Sequence, residues 1–131
     1  MFFAWKQLLY HSPPMHPFWN SVLQPAMIAL NAKRIVEIGV GSGENTKNIL
    51  EYCRETGGMA HVIDPSPLTD ISPLLEEYSD HATYYPEPSL SALPKILDAD
   101  VVLIDGDHNW YTVHAELEII AKLRLRPETF R

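Results

Sequence analysis

Arg34-Ile35-Val36-Glu37-Ile38-Gly39-Val40-Gly41-Ser42-Gly43 is the stretch that decides the fold. Ile35, Val36 and Ile38 make a short apolar strand, and glycines at alternate positions 39, 41 and 43 end it. Glycine permits positive φ and lets a ligand approach the backbone closely. Residues 44–56 read as a helix with Ile49, Leu50 and Cys53 on one face. The loop therefore faces a helix N-terminus, whose free N–H groups attract an electronegative partner. A tight turn that holds no ligand is the plainer alternative.

The same alternation continues outward in both directions. Residues 18–32 read as a helix that Pro25 interrupts. A second strand spans Ala60–Asp64, a short helix Pro73–Ser79, and a third, weaker strand Thr83–Tyr85. A helix over Ser89–Leu97 takes Ser89 as its N-cap. The fourth strand is Val101-Val102-Leu103-Ile104, and a last helix over Tyr111–Leu125 carries Val113, Leu117, Ile120 and Ala121 at helical spacing. Strands alternating with helices predict βαβ units and a parallel sheet. Val101–Ile104 shows no polar alternation, which predicts burial on both faces and a central place in the sheet.

Composition narrows the function. The chain has 131 residues, enough for one ordinary domain, and 46% apolar against 21% charged residues is the balance of a folded globular protein. A net charge of −7 argues against electrostatic capture of nucleic acid or an anionic membrane. A single cysteine, Cys53, excludes an internal disulfide framework and a cysteine-based zinc cluster, and it fits a cytoplasmic protein. Lys6 and Gln7 interrupt the apolar N-terminus, so neither a signal peptide nor a membrane span is expected. Residues 1–17 form an N-terminal segment, and residues 18–131 form the domain.

Three acidic positions stand out. Asp64 ends the second strand, 21 residues after Gly43, where a carboxylate can accept both hydroxyls of a ribose. A turn residue before Pro65 is the alternative. Asp105 ends the fourth strand and opens Asp105-Gly106-Asp107-His108, a segment that can hold a hard divalent ion or supply a base near neutral pH. Asp107 reads as a turn residue. The dinucleotide fingerprint G-x-G-x-x-G would place its third glycine at Glu44, and a carboxylate there suits a pyrophosphate badly. Glu87 and Ser89 are candidates to line an adenine pocket. Cys53 and the tryptophans Trp5, Trp19 and Trp110 read as packing residues.

Glu37-Ile-Gly-Val-Gly-Ser-Gly43, Val62-Ile-Asp64-Pro and Leu103-Ile-Asp105-Gly-Asp-His108 together resemble class I S-adenosylmethionine-dependent methyltransferases. Within these, the chain is similar to the O-methyltransferases that act on macrolide sugars or belong to surface-polysaccharide gene clusters. The resemblance implies a Rossmann-like, doubly wound parallel α/β sheet. It implies that Glu37, Gly39, Gly41 and Gly43 cradle the methionine part of S-adenosylmethionine and that Asp64 holds its ribose. Asp105 matches a Mg²⁺ ligand and His108 the general base, both catalytic, for methyl transfer to a sugar or other small-molecule hydroxyl. The family's sheet runs 3-2-1-4-5-7-6, and this sequence carries the first four strands, in the order 3-2-1-4 with flanking helices. That reads as C-terminal truncation and makes activity of the chain alone an open expectation.

Two further readings compete. One is a non-catalytic S-adenosylmethionine-binding remnant of a larger glycan-modifying protein. The other is a nicotinamide-dependent oxidoreductase domain, against which Glu44 counts. Without a fifth strand, Val101–Ile104 would be an apolar sheet edge, a liability unless it is covered. The expected cover is either a second copy of the chain, giving a homodimer with a continuous sheet, or residues 1–17.

Overall fold

A computed structural model describes residues 2–4, 15–106 and 109–124. Five parallel strands form one sheet: β1 (Phe2–Ala4), β2 (Arg34–Ile38), β3 (Met59–Ile63), β4 (Ala82–Tyr85) and β5 (Val101–Ile104). Their spatial order is β1-β5-β2-β3-β4. The four strands β2 to β5 are the four that the sequence predicts, in the predicted order. The addition is β1, which pairs in parallel with β5 in the register Phe2–Val102, Phe3–Leu103 and Ala4–Ile104. The edge of Val101–Ile104 is thus covered from within the chain, by residues of the N-terminal segment. A dimer through that same edge would need β1 to leave it. With β1 in place, β5 lies between two strands, and all four of its residues are buried.

The sheet is covered on both faces. Helices α1 (Gln24–Ala29), α2 (Glu44–Thr56) and α3 (Ser72–Glu77) lie on one side, where Met27, Ile35, Ile49, Leu50, Val62, Leu103 and Tyr78 share a core. Helices α4 (Ser89–Ala92) and α5 (Trp110–Arg124) lie on the other, where Val36, Ile38, Ile63, Leu93, Val102, Ile104 and Ile120 pack together. Successive residues of a strand point to opposite faces. Ile35 and Val36 accordingly belong to different cores. Two apolar faces are why Val101–Ile104 reads as a continuous apolar run.

Local chemistry explains where elements depart from expectation. Pro25 cannot donate to Ser21, and its ring would crowd that carbonyl in a regular helix. The chain answers with a π-helical turn over Trp19–Leu23, in which the Gln24 N–H reaches back to the Trp19 carbonyl. α2 ends at Gly57, left-handed at φ 74°, and the Gly58 N–H closes on the Cys53 carbonyl at 2.8 Å. The helix expected over Ser89–Leu97 shortens at Pro94 into a 3₁₀ turn over Leu93–Lys95. Its N-cap is Pro88 rather than Ser89, whose hydroxyl is used elsewhere. On α5 the buried stripe is Glu116, Ile120 and Leu123, whereas Ala121 faces outward.

At the amino end of the sheet, Asp100 ties β2 to β5. Its carboxylate accepts from the Lys33 N–H at 2.8 Å, the Arg34 N–H at 3.0 Å and the Arg34 guanidinium at 3.0 Å. Burial opposes its ionisation, but these donors hold the carboxyl below the usual range. The clamp fixes the register that aligns the opposite ends of the same strands.

Candidate functional site

The candidate site lies at the carboxyl ends of the strands, where the chain order reverses. From β2 the chain moves outward to β3 and β4, then returns to β5 on the other side of β2. Open α/β sheets bind ligands in the crevice that such a reversal leaves. Ile38 stands beside Ile63 and Ile104 in register. The next residues along the three strands are Gly39, Asp64 and Asp105, so they come to one level. Backbone bonds lock them: Gly39 N–H to the Ile63 carbonyl at 2.9 Å, and Asp105 N–H to the Ile38 carbonyl at 2.8 Å. All three line a cavity of about 480 Å³, in the range that takes a cofactor-sized molecule.

Gly39, Gly41 and Gly43 adopt φ of 90°, 56° and 83°. Gly39 is also tight: a Cβ there would stand 2.3 Å from the Asp105 carbonyl oxygen and 2.6 Å from the Gly106 nitrogen. A Cβ on Gly41 would meet nothing within 4 Å. One glycine lets the β2 and β5 exits touch, and the other leaves space beside the cavity. Asp64 pins the loop, accepting from the Val40 N–H at 2.8 Å through one oxygen and from the Ser66 N–H at 2.8 Å through the other. A carboxylate offers about four acceptor positions, so two such bonds leave capacity for ligand hydroxyls.

Glu37 and Gly43 do not reach this cavity. Gly43 lines a separate shallow depression with Lys47, Asp70 and Glu77. Glu37 is 2% exposed beneath the loop, where its carboxyl meets Asn45 Nδ2 at 3.2 Å and Thr46 Oγ1 at 2.6 Å. It ties the strand to the first turn of α2 and so holds the glycine loop from below. Burial pushes its pKa up to about 8, against the pull of Thr46 and Asn45 and with help from Asp105 and Asp64. The folded protein therefore holds a proton that the unfolded chain gives up near its ordinary value of 4.5. Stability is full below that ordinary value and falls as pH rises towards 8, by at most about 1.4 kcal/mol per pH unit. Glu37→Gln, which cannot ionise, should flatten the melting temperature between pH 5 and 8; an unchanged slope would show that Glu37 does not titrate there.

The far end of the cavity is built from Pro88, Ser89 and Leu90 on one side and from Thr112 and Glu116 of α5 on the other. The Ser89 hydroxyl donates to Glu116, which is 1% exposed. Of the two candidates after β4, Ser89 lines this cavity and Glu87 does not; Glu87 pairs with Lys95 Nζ at 2.6 Å. Glu116 escaped the sequence reading, although Glu116, Ile120 and Leu123 at helical spacing mark one stripe. Among the described residues, the lining carries three carboxyl groups, Asp64, Asp105 and Glu116, and no Lys, Arg or His.

Other expectations resolve case by case. Trp19 is buried with its ring edge-on to Tyr52, centroids 6.4 Å apart. Cys53 is buried, and burial pushes its thiol up to about 12, which leaves it unreactive. Trp110 is not a core residue: it is 72% exposed and stacks on His114 at 5.0 Å between centroids. Glu44, at the start of α2, pairs with His16 Nε2 at 2.7 Å and borders the shallow depression rather than the cavity. Asp107 and His108 lie outside the described residues. Asp105 is the one expected Mg²⁺ ligand, and no group of three or more His, Cys, Asp or Glu able to hold a metal occurs among the described residues. None of the described helices is long and apolar enough to cross a membrane.

No curated protein matches the sequence. A family model described as a methyltransferase domain matches residues 36–130, from within β2 through α5 and beyond. That match covers most of the chain, including the glycine loop, Asp64 and the Asp105 segment. The chain belongs to this methyltransferase-domain family.

Proposed function

We propose that the chain binds S-adenosylmethionine in the 480 Å³ cavity and directs its methyl group to a hydroxyl of a sugar or another small molecule. The observation that carries the reading is the charge of the lining. Two carboxylates at the strand ends, Asp64 and Asp105, in a lining with no Lys, Arg or His among the described residues, repel a pyrophosphate and attract a sulfonium cation. The family's usual cofactor fits the remaining features. Asp64 has acceptor capacity for two ribose hydroxyls, and Gly41 leaves open space beside the loop where a side chain would intrude. Ile63, Pro65 and Leu90 give apolar walls for a flat base.

Bound S-adenosylmethionine supplies an electrophilic methyl on sulfur, open to direct displacement by an oxygen nucleophile. The chain's own residues then have two tasks. Gly39, Gly41 and Asp64 hold the donor in line, which is where most of the rate advantage of such a transfer arises. His108, three residues beyond Asp105, accepts the hydroxyl proton, and Asp105 at the cavity edge orients the acceptor or its counter-ion. A cytoplasmic setting suits this reading, since it keeps the lone Cys53 thiol reduced.

The test is transfer of labelled methyl from S-adenosylmethionine to a panel of sugar hydroxyls, with and without Mg²⁺. The reading expects label in an acid-stable ether on one acceptor class and at least about a hundredfold loss in His108→Ala, the scale of a missing general base. Label appearing on an amine or thiol, with none on hydroxyls, would overturn the acceptor class.

A further inference from the structure

Leu68, Trp110 and Tyr111 are the most exposed of the large apolar side chains among the described residues, at 86%, 72% and 70%. All three follow the carboxyl ends of strands. Leu68 lines the cavity from the loop after β3, and Trp110 and Tyr111 open α5 between Gly106 and Thr112, which line it too. We propose that Trp110 is the platform on which the acceptor's ring stacks, so that the acceptor is a cyclic polyol of the pyranoside kind rather than an open-chain one; this inference rests on the methyl-transfer reading given above.

The indole is held before any ligand arrives. Asn109 accepts the Tyr111 N–H through Oδ1 at 2.9 Å and the Val113 N–H through its carbonyl at 3.0 Å, which pins the first turn of α5. One turn on, the His114 ring lies against the indole, with centroids 5.0 Å apart and planes 6° from parallel. His114 Nε2 is itself 3.4 Å from Glu118 Oε1. His114 thus occupies one face of Trp110 and leaves the other to solvent. A side chain whose rotamer is set in the free protein loses little entropy on binding.

The face of an indole is electron-rich. The axial C–H bonds of a pyranose carry the opposite partial charge, and ring closure gathers them into a flat apolar patch. An open-chain polyol has the same hydroxyls but no such fixed patch. Trp110 is not among the residues lining the cavity, so it meets what stands over the mouth rather than what lies within. With the donor inside the cavity, that outer place belongs to the acceptor. Leu68 faces the same mouth from the side of the glycine loop, where its N–H bonds the Gly41 carbonyl at 3.1 Å.

The experiment follows tryptophan emission of the full chain saturated with S-adenosylhomocysteine. Methyl pyranosides of glucose, galactose, mannose and rhamnose are added, and then the matching open-chain alditols. At least one pyranoside should change the emission, no alditol should, and the response should vanish in Trp110→Phe. For the responding pyranoside, methyl transfer by Trp110→Ala should show KM raised at least about tenfold and kcat within about twofold, the pattern of lost uniform binding. Trp110→Phe keeps an aromatic face and should give a smaller rise. Calorimetric affinity for S-adenosylhomocysteine should be unchanged in both variants, whereas a purely structural Trp110 would move that affinity or the melting temperature. The emission result decides alone if the chain does not turn over. An unchanged KM in Trp110→Ala, alditols that respond like pyranosides, or no response to any sugar by a chain that binds S-adenosylhomocysteine overturns the inference and leaves the cofactor reading intact. So does an emission that shifts with protein concentration alone, which would give this face to a second copy. A folded wild type that takes up no S-adenosylhomocysteine overturns the cofactor reading and this inference together.

Discussion

Gly39→Ala is expected to lose about 3 kcal/mol or more of folding stability. Two costs combine. An L-residue at φ 90° is strained, at about 1–3 kcal/mol. The new Cβ would also stand 2.3 Å from the Asp105 carbonyl oxygen and 2.5 Å from its carbon, which are backbone atoms that cannot swing aside. Overpacking of that kind costs a further ~1–3 kcal/mol. Against a total stability of about 5–15 kcal/mol, such a loss is large. It should lower the melting temperature by on the order of 10 °C. Gly41→Ala is the internal control: its φ of 56° carries strain, but nothing lies within 4 Å. That change should cost only about 1 kcal/mol. Equal melting temperatures for the two variants would show that the β2 and β5 exits do not touch as described.

Asp64→Ala is expected to abolish cofactor binding, by at least about a hundredfold. The carboxylate does two things at once. It holds the Val40 and Ser66 N–H groups that shape the loop, and in the proposed reading its remaining lone pairs take the ribose hydroxyls. Hydrogen bonds to a charged acceptor contribute about 1.5–3 kcal/mol each. Losing two to the ligand would exceed two decades in affinity before any loop disorder is counted. Asp64→Asn keeps one acceptor oxygen for the loop and should lose less, about tenfold. Calorimetric titration with S-adenosylmethionine measures both, with circular dichroism to confirm that each variant folds. Full affinity in a folded Asp64→Ala protein would mean that the ligand lies elsewhere.

Local features made much of this architecture legible in the sequence. β5 is a continuous apolar run because both faces of the sheet are covered, and the glycine spacing marks the turn between β2 and α2. β1 is different. Phe2-Phe3-Ala4 is too short to declare itself as a strand, and only the need to cover Val101–Ile104 pointed to residues 1–17. The π-helical turn at Trp19–Leu23 also depends on more than pattern, since Pro25 alone could equally have ended the helix.

The site divides in the same way. Gly39, Asp64 and Asp105 follow directly after parallel strands, so position along the chain places them together. Glu37 belongs to the same motif, but strand alternation turns its side chain to the face covered by α2, under the loop. Gly43 continues the glycine spacing, but it faces the shallow depression beside α2 and α3 rather than the cavity. Glu116 was hidden because its partner, Ser89, is remote in sequence, and a glutamate in a helix that also carries Glu118 and Lys122 reads as solvated surface. Burial on the stripe with Ile120 and Leu123 is a tertiary fact that only weak periodicity foreshadows.

The central claim is that a complete cofactor half-site stands at the ends of β2, β3 and β5. The most direct test is calorimetric titration of S-adenosylmethionine into the wild-type chain. Binding at micromolar dissociation constant, with NAD giving no heat under the same conditions, is the result expected here. A folded chain that takes up no S-adenosylmethionine, or that binds NAD instead, would contradict it.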